Sequence, residues 1–225
     1  MSAPAAALRA AEYDAWYRTP RGSWIGETEY RLLLGLLAPA AGATLLDVGC
    51  GTGYFTRRFA REAGLSATGL DANPEWLAFA RARAAPGESY LEGNALDLPF
   101  PDASFDYAVS VTALCFIAEE RRALAEMLRV TRRRFALGLL NRRSILYWQK
   151  GRGGGSGAYR GAHWHTPGEA AALLEGFPVV DVRIRTAVFV PGGGALARLV
   201  ERHMPAGCPW GAFIAVAGSV AAARR

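Results

Sequence analysis

Three alternating glycines, with one acid before them and another further along, form the first group of residues that could bind a ligand. The stretch LLDVGCGTGYF carries Asp47, Gly49, Gly51 and Gly53. Glycines let a backbone turn sharply and approach a ligand closely, because they have no Cβ. Asp71 follows Gly49 by 22 residues, at the spacing where an acid accepts hydrogen bonds from a ribose diol. The pattern predicts a nucleoside-binding loop.

The loop departs from the dinucleotide pattern at two positions. A G-x-G-x-x-G fingerprint needs glycine at the position of Tyr54, whereas Gly53 comes one residue early. The carboxylate of Asp47 is unfavourable beside a pyrophosphate, but it suits a ligand that carries an amino group. Both departures argue against an NAD-linked oxidoreductase, which is kept as an alternative from a different class.

Two histidines, His163 and His165, are the best candidates for a general base. We expect their side chains to point to opposite faces of an extended segment, so that only one reaches the site. No Asp, Glu or Cys lies near them in the sequence, and we therefore predict no metal site.

Two further segments could cover an acceptor. Tyr13, Trp16 and Tyr17 place three rings within five residues, either to contact a cation through their faces or only to fix a helix to the sheet. Residues 141–165 contain five glycines between Gly151 and Gly157, which favours a mobile lid or an ordinary surface loop. The arginines of this segment could recognise an anionic acceptor or be solvated: Arg142, Arg143, Arg152 and Arg160.

The elements that position these residues alternate along the chain. Apolar stretches predict strands, amphipathic stretches predict helices, and their βαβ order predicts a parallel sheet with helices on both faces. The predicted strands are 44–49, 66–72, 88–93, 105–111 and 135–140, and the helices between them are 54–64, 73–84 and 119–131. Before them we expect a helix over 3–18, a break over 19–23 and a second helix that ends near Pro39.

The last third of the chain completes the sheet. Thr166, Pro167 and Glu169 form a capping box for a helix. An alternating strand over 178–190, a helix of ten residues (ALARLVERHM) and a last strand (AFIAVAGSV) follow, which fits an added antiparallel edge.

Composition excludes several classes of protein. The net charge is +6, but Lys150 is the only lysine beside many arginines and alanines, so the charge does not indicate nucleic-acid binding. We expect the cluster Arg132 to Arg134 at a helix C-terminus. Cys50, Cys115 and Cys208 are odd in number and widely spaced, which argues against disulfides and zinc. Without a signal peptide or transmembrane stretch, we expect a cytoplasmic protein.

Three linked stretches resemble a known family. LLDVGCGTGYFT, GLDANPEWLAFAR and GNALDLPFPDASFDYAVSV resemble the successive motifs of class I S-adenosylmethionine-dependent methyltransferases, most closely the type 11, small-molecule-like subgroup. The resemblance implies a Rossmann-like three-layer α/β sandwich with a seven-stranded, mostly parallel sheet and an antiparallel final strand. We predict one domain over 1–225, divided into a helical cap (1–40), a cofactor-binding core (41–140), a substrate-side loop or lid (141–165) and a C-terminal completion of the sheet (166–225).

The resemblance also implies roles for single residues. Asp47 would orient the methionine end of the cofactor, Asp71 would hold the ribose hydroxyls, and Asn94 would read the adenine amino edge, where many relatives have Asp. The implied cofactor-binding residues are Asp47, Gly49, Cys50, Gly51, Gly53, Asp71, Ala72, Asn94, Ala95 and Val111, with Thr112 also at the methyl-transfer site. The candidate catalytic residues are His165, His163, Tyr13 and Tyr17.

The implied activity is transfer of a methyl group from S-adenosyl-L-methionine by in-line displacement to a small-molecule acceptor, which leaves S-adenosyl-L-homocysteine. A quinone or lipid-like acceptor is the alternative within this class, since the predicted cap is apolar. A non-catalytic S-adenosylmethionine-binding protein is the third class, because the cofactor motifs alone do not separate a sensor from an enzyme.

Overall fold

The computed structural model describes residues 10–221, so the first part of the helix predicted over 3–18 lies outside the described residues. The helices are α1 (Ala10–Trp16), α2 (Pro20–Leu37), α3 (Tyr54–Ala63), α4 (Pro74–Arg81), α5 (Glu120–Val130), α6 (Pro167–Ala172) and α7 (Ala195–His203). The strands are β1 (Thr44–Val48), β2 (Ser66–Asp71), β3 (Glu88–Glu92), β4 (Phe105–Val111), β5 (Thr131–Leu140), β6 (Val179–Ala187) and β7 (Phe213–Val220).

One seven-stranded sheet organises the chain, in the order β3-β2-β1-β4-β5-β7-β6. Neighbouring strands from β3 to β5 pair in parallel, whereas β7 is antiparallel to both β5 and β6. The predicted Rossmann-like fold with one antiparallel final strand is therefore confirmed. Because β1, β2, β4 and β5 run the same way, the loops that follow them meet at one edge of the sheet, called here the carboxyl edge.

Local signals in the sequence set several of the helix boundaries. Gly64 is in the left-handed region (φ 66°) and ends α3. Asn73 caps α4, with Pro74 at its first position. The capping box of Thr166 and Glu169 forms as predicted at the start of α6.

Two predicted boundaries are wrong. The expected break over 19–23 is only a cap, because Thr19 accepts a hydrogen bond from the Gly22 amide at 3.0 Å and Pro20 already lies in the first turn of α2. Arg132 to Arg134 lie in β5 and not at a helix C-terminus. Arg132 and Arg133 instead form ion pairs with Asp106 of the adjacent strand β4.

The core lies between the sheet and its helices. Leu46 of β1, Phe135 of β5 and Ile214 of β7 are fully buried, because central strands covered on both faces are apolar throughout. Within residues 10–221, no helix combines the length and the apolar character needed to cross a membrane.

Candidate active site

The loop between β1 and α3 carries three glycines in the left-handed region of backbone space. Gly49, Gly51 and Gly53 have φ values of 76°, 56° and 78°, which residues with a Cβ rarely adopt. A Cβ on Gly49 would lie 2.2 Å from the Cβ of Ala113. A side chain at position 49 would therefore clash with Ala113. The glycine loop thus lies close to the segment that follows β4, where Val111 and Thr112 are predicted to border the methyl-transfer site.

Asp71 holds the glycine loop in place. One of its carboxylate oxygens accepts a hydrogen bond from the Gly51 amide at 2.7 Å, and the other accepts from the Asn73 amide at 2.9 Å. Each carboxylate oxygen has a second lone pair. The side chain can therefore fix the loop and still accept hydrogen bonds from a ligand.

Asp47 lies buried at the end of β1 and accepts a hydrogen bond from the Thr56 hydroxyl at 2.6 Å. Burial raises the pKa of this carboxyl to about 7, and the hydrogen bond from Thr56 opposes the shift. A carboxyl of this kind is ready to ionise beside a positively charged group.

Cys50 lies in the same loop and is half-buried. Burial raises the pKa of its thiol well above the ordinary value, and the nearby carboxylates of Asp47 and Asp71 add to the effect. A thiol must ionise to attack, so this shift argues against a nucleophilic role, and the role of Cys50 in cofactor binding stays a prediction.

The predicted adenine side lies beyond β3. Asn94 is exposed, and its side-chain oxygen accepts a hydrogen bond from the Leu96 amide at 2.9 Å. Ala72 is also exposed, whereas Ala95 is half-buried. The amino group of a ligand at Asn94 would donate to the same side-chain oxygen that accepts from the Leu96 amide.

Aromatic rings of the N-terminal cap stack on the glycine-loop helix and on α4. Tyr17 lies flat on Tyr54, with the ring centroids 3.6 Å apart, and Tyr13 packs on Trp76 at 4.9 Å. The hydroxyls of Tyr13 and Tyr17 are 3.4 Å apart. Tyr54, which occupies the third glycine position of a dinucleotide loop, thus supports the cap.

An ion pair that no local sequence pattern indicates joins α1 to the glycine loop. The guanidinium of Arg57 donates to Asp14 of α1 at 2.6 Å and to the Thr52 carbonyl of the glycine loop at 2.6 Å. Asp14 is buried. The two residues are 43 positions apart, so only the fold brings them together.

Glu29 is a second residue that sequence reasoning missed. It is half-buried on α2, and burial raises the pKa of its carboxyl to about 8. Burial also raises the pKa values of Tyr13 and Tyr17, and the charge of Glu29 adds to both shifts. Burial likewise raises the pKa of Tyr159, from the 141–165 segment, to about 12, with Glu29 contributing. The ionised carboxylate of Glu29 therefore interacts electrostatically with tyrosines of both segments.

The two candidate histidines bind one carboxylate. His163 Nδ1 lies 2.9 Å from Glu120 Oε1, and His165 Nε2 lies 3.0 Å from Glu120 Oε2. The expectation that the histidines face opposite ways is wrong, because side chains alternate along an extended chain and residues two apart share a face. Trp164 between them is buried on the other side, against Tyr147 and Tyr159.

Glu120 is the first residue of α5 and lies 43 positions before His163. Its distance in sequence is why the absence of a nearby acid was a poor argument about metal binding. Ligand atoms of Glu120, His163 and His165 lie within 4.8 Å of one another, a set that matches the His₂Glu ligands of some zinc sites.

The cluster lies at the carboxyl edge. His165 forms a bridge with Asn141, directly after β5, and the His163 amide donates to the Cys115 carbonyl in the loop after β4 at 2.7 Å.

The glycine-rich segment that precedes His163 in the sequence contains a short π-helix over Tyr147–Gly151, in which Gly151 is buried. Its role as a lid stays a prediction.

Comparison with known proteins agrees with this geometry. Residues 46–135 match the type 11 family model that is described as a methyltransferase domain. Residues of the chain are 42% identical over 123 positions to a malonyl-(acyl-carrier protein) O-methyltransferase of Serratia marcescens, which covers 55% of this chain and 45% of that protein. They are 37% identical over 102 positions to a demethylmenaquinone methyltransferase of Renibacterium salmoninarum, covering 45% of this chain and 42% of that protein.

The chain thus spans less than half the length of these curated relatives. Its fold agrees over a longer range with a solved structure from Thermotoga maritima, a SAM-dependent methyltransferase described as a possible histamine N-methyltransferase. That comparison has a TM-score of 0.73 at 24% identity and covers 93% of this chain and 94% of the other. Residues 46–135 of the chain thus match the methyltransferase domain of the type 11 family, and the strand order agrees with the fold of the Thermotoga maritima protein.

Proposed function

We propose that this protein is an S-adenosylmethionine-dependent methyltransferase that methylates a hydroxyl or other ionisable group of a small-molecule acceptor. The observation that carries the proposal is the pair of sites on one sheet edge: a glycine loop clamped by Asp71, and the Glu120–His163–His165 cluster. The first can hold the methyl donor, and the second can take a proton from the acceptor.

The residues around the glycine loop fit S-adenosylmethionine. The cofactor would lie where the loop, Asp71 and the Tyr13–Trp76 pair converge, with Asp71 toward the ribose and Asp47 toward the methionine amino group. Tyr13 and Tyr17 would present ring faces to its positive charge. When bound, the cofactor supplies a methyl group that is already activated by a sulfonium, so the protein has mainly to align the acceptor and exclude water.

The hydrogen bonds of the cluster support a different role for each member in this proposal. His165 Nδ1 is buried and has no hydrogen-bond partner among the described residues, so a proton there would cost about 1–3 kcal/mol. The proton of His165 therefore lies on Nε2 and is donated to Glu120, which His165 fixes in place.

His163 is the member that can act on an acceptor. It donates Nδ1–H to the other oxygen of Glu120, which leaves the lone pair of its Nε2 on a side chain that is 61% exposed. Glu120 orients the ring and stabilises the imidazolium that forms when Nε2 takes a proton, as the acid of a catalytic triad does. An acceptor O–H would lose its proton to His163 as the methyl group arrives.

The relatives support this acceptor class. The Serratia protein is named an O-methyltransferase, and the Renibacterium protein is named for a quinone, demethylmenaquinone. A quinone or lipid-like acceptor is therefore the second candidate, and an apolar surface described below favours it. Three free thiols agree with a reducing compartment, so we propose a cytoplasmic location.

Calorimetry followed by a turnover screen tests the proposal. We expect S-adenosylmethionine and S-adenosylhomocysteine to bind and NAD not to bind, with Asp71→Ala weakening cofactor binding at least tenfold. A screen of phenols, carboxylic acids and hydroquinones, read as S-adenosylhomocysteine release, identifies the acceptor. Tight NAD binding would support the oxidoreductase class, and cofactor binding without turnover across all acceptor classes would support a sensor.

A further inference from the structure

An apolar groove with exposed tryptophans lies at the same edge of the sheet as the cluster of histidines, and nothing in the proposed methyl transfer uses it. The groove has a volume of about 350 Å³ and is lined on its apolar side by Ile145, Trp148, Val190, Val200, Met204 and Trp210. We call it the tryptophan groove. Trp148 is 66% exposed, Trp210 is 60% exposed and Ile145 is 48% exposed, although large apolar side chains are ordinarily buried.

Helix α7 extends this apolar surface. Its Val200 and Met204 line the groove, and Leu196, one turn before Val200, is 68% exposed, as Leu199 is at 57%. Residues four apart lie on the same face of a helix, so Leu196 continues the line of Val200 and Met204. The result is a continuous surface of aliphatic and indole groups that is open to solvent.

Most of the charged side chains around the groove are basic. Between residues 141 and 168 the chain has no Asp or Glu, while Arg143, Lys150 and Arg152 are exposed there. The Arg152 guanidinium lies 4.6 Å from the Trp148 ring centre. On α7, Arg198 and Arg202 are also exposed.

The single acid of α7 offsets only one of these five cations. Glu201 is the only acid between residues 187 and 212. Its two oxygens accept hydrogen bonds from the amides of Val188 and Phe189, each at 3.0 Å. The surface is therefore both apolar and positively charged.

We infer that the tryptophan groove and α7 bind the surface of an anionic lipid bilayer. Tryptophans settle at the boundary between headgroups and acyl chains, leucines enter the acyl region, and each basic side chain gains about 1 kcal/mol at an anionic leaflet. A second copy of this chain is a poorer occupant, because a two-fold interface would place the basic side chains of the two copies against each other, where they repel. The aliphatic side chains distinguish the surface from a single-stranded nucleic-acid site, which stacks bases on aromatic rings along a basic groove.

Lipid binding at this surface would bring the proposed methyl-transfer site close to acceptors in the bilayer. Trp148 follows β5, Val190 follows β6 and Trp210 precedes the antiparallel β7, so all three lie at the carboxyl edge. His163 lies at the same edge. An acceptor dissolved in the bilayer would then reach the site from the lipid side, a step that rests on the proposed methyl transfer, whereas lipid binding itself does not.

Vesicle co-sedimentation of the full chain tests the inference. We expect binding to vesicles of phosphatidylglycerol and phosphatidylcholine, and weaker binding to phosphatidylcholine alone. Trp148→Ser combined with Trp210→Ser should lower the partition coefficient at least tenfold. Val180→Ser combined with Val182→Ser, which removes two exposed apolar residues of β6, is the matched control and should bind as the unmodified chain does.

A charge variant separates the electrostatic contribution to vesicle binding from the apolar one. Lys150→Gln combined with Arg152→Gln should lower binding to the anionic vesicles several-fold and leave binding to phosphatidylcholine unchanged. Far-ultraviolet circular dichroism of every variant checks the fold.

Two results would overturn the inference: no sedimentation with anionic vesicles, or equal binding by the tryptophan variant and the unmodified chain. If vesicles do not bind and the tryptophan variant loses a dimer, the occupant of the surface is a second copy of this chain. Displacement from vesicles by oligothymidine would identify a nucleic-acid site. Vesicle binding without methyl transfer to any acceptor would contradict the proposed function and would still support lipid binding by this surface.

Discussion

At the scale of single residues, the proposed mechanism gives the two histidines of the cluster different roles. His165 is buried and would fix Glu120 in place, whereas His163 is exposed and would take the proton from the acceptor. We expect His163→Ala to lower kcat about 100-fold or more, because a positioned general base contributes at least that factor. Cofactor affinity, measured by calorimetry, should not change.

A control histidine is present in the same chain. His203 lies exposed at the end of α7, with its ring bonded only to the Leu199 carbonyl, and His203→Ala should keep the full rate. If His163→Ala also kept the full rate on the true acceptor, proton removal by this cluster would be wrong.

Zn²⁺ should bind the same three side chains and so block their action on the acceptor. A metal ion must take the nitrogen lone pairs of His163 and His165 and the charge of Glu120, so Zn²⁺ should inhibit methyl transfer and EDTA should restore it. Calorimetry should show Zn²⁺ binding that is weakened about tenfold or more in His163→Ala. Equal Zn²⁺ affinity in the two proteins would place the ion elsewhere.

The half-buried carboxyl of Glu29 gives a pH dependence to stability. Its pKa is raised from 4.5 to about 8, so the folded protein binds the proton more tightly than the unfolded chain. The free energy of unfolding should therefore fall as pH rises from about 4.5 through 8.

Replacing Glu29 with glutamine should remove this dependence. We expect Glu29→Gln to be more stable than the unmodified chain at pH 9, by on the order of 2 kcal/mol, and about equal at pH 4. Urea unfolding at both pH values measures the difference. A variant that is less stable at pH 9 would show that the ionised carboxylate has a favourable partner.

At the scale of elements, the cap depends on Arg57, which joins α1 to the glycine loop. Arg57→Ala should leave Asp14 buried without its partner and loosen the cap. We expect the dissociation constant for S-adenosylmethionine to rise about tenfold, or 1.4 kcal/mol.

Arg18 provides the comparison for this prediction. It also pairs with Asp14, but at 3.6 Å and from a side chain that is 68% exposed, where ion pairs contribute little. Arg18→Ala should bind the cofactor as the unmodified chain does. An equal loss in both variants would mean that charge near Asp14, and not the bridge to the loop, controls affinity.

The sequence predicts elements whose signals are local. The glycine loop, the Asn73–Pro74 start of α4 and the Thr166 capping box all act within a few residues, and each forms as predicted. The start of α2 was misplaced because Pro and Gly were read as a break, although proline fits the first turn of a helix.

The candidate site was only partly predictable. Asp47, Asp71 and the glycines follow from one loop pattern, whereas the choice of the two histidines as candidate bases stays a prediction. Glu120, Arg57 and Asp14 were not found, since each acts on a residue at least 43 positions away. Only the order of the strands brings such pairs together.

At the scale of the whole molecule, ligand binding should stabilise the fold as a unit. S-adenosylmethionine at 100 times its dissociation constant adds about 2.7 kcal/mol, which for a chain of this size raises Tm by roughly 5–10 °C. NAD at the same concentration should not change Tm. A thermal melt followed by circular dichroism measures both, and Asp71→Ala, which removes the clamp on the loop, should show little response to the cofactor.

The position of β7 also constrains how the molecule folds. It lies between β5 and β6, and its pairing with β5 joins residues as far apart as Arg134 and Ser219. Until residues 213–220 have been synthesised, the apolar strand β5 keeps an open edge that other chains can pair with. Closing such long-range pairs is slow, so the ribosome-bound chain should be most prone to aggregation, and most in need of chaperones, in the interval between synthesis of β5 and of β7.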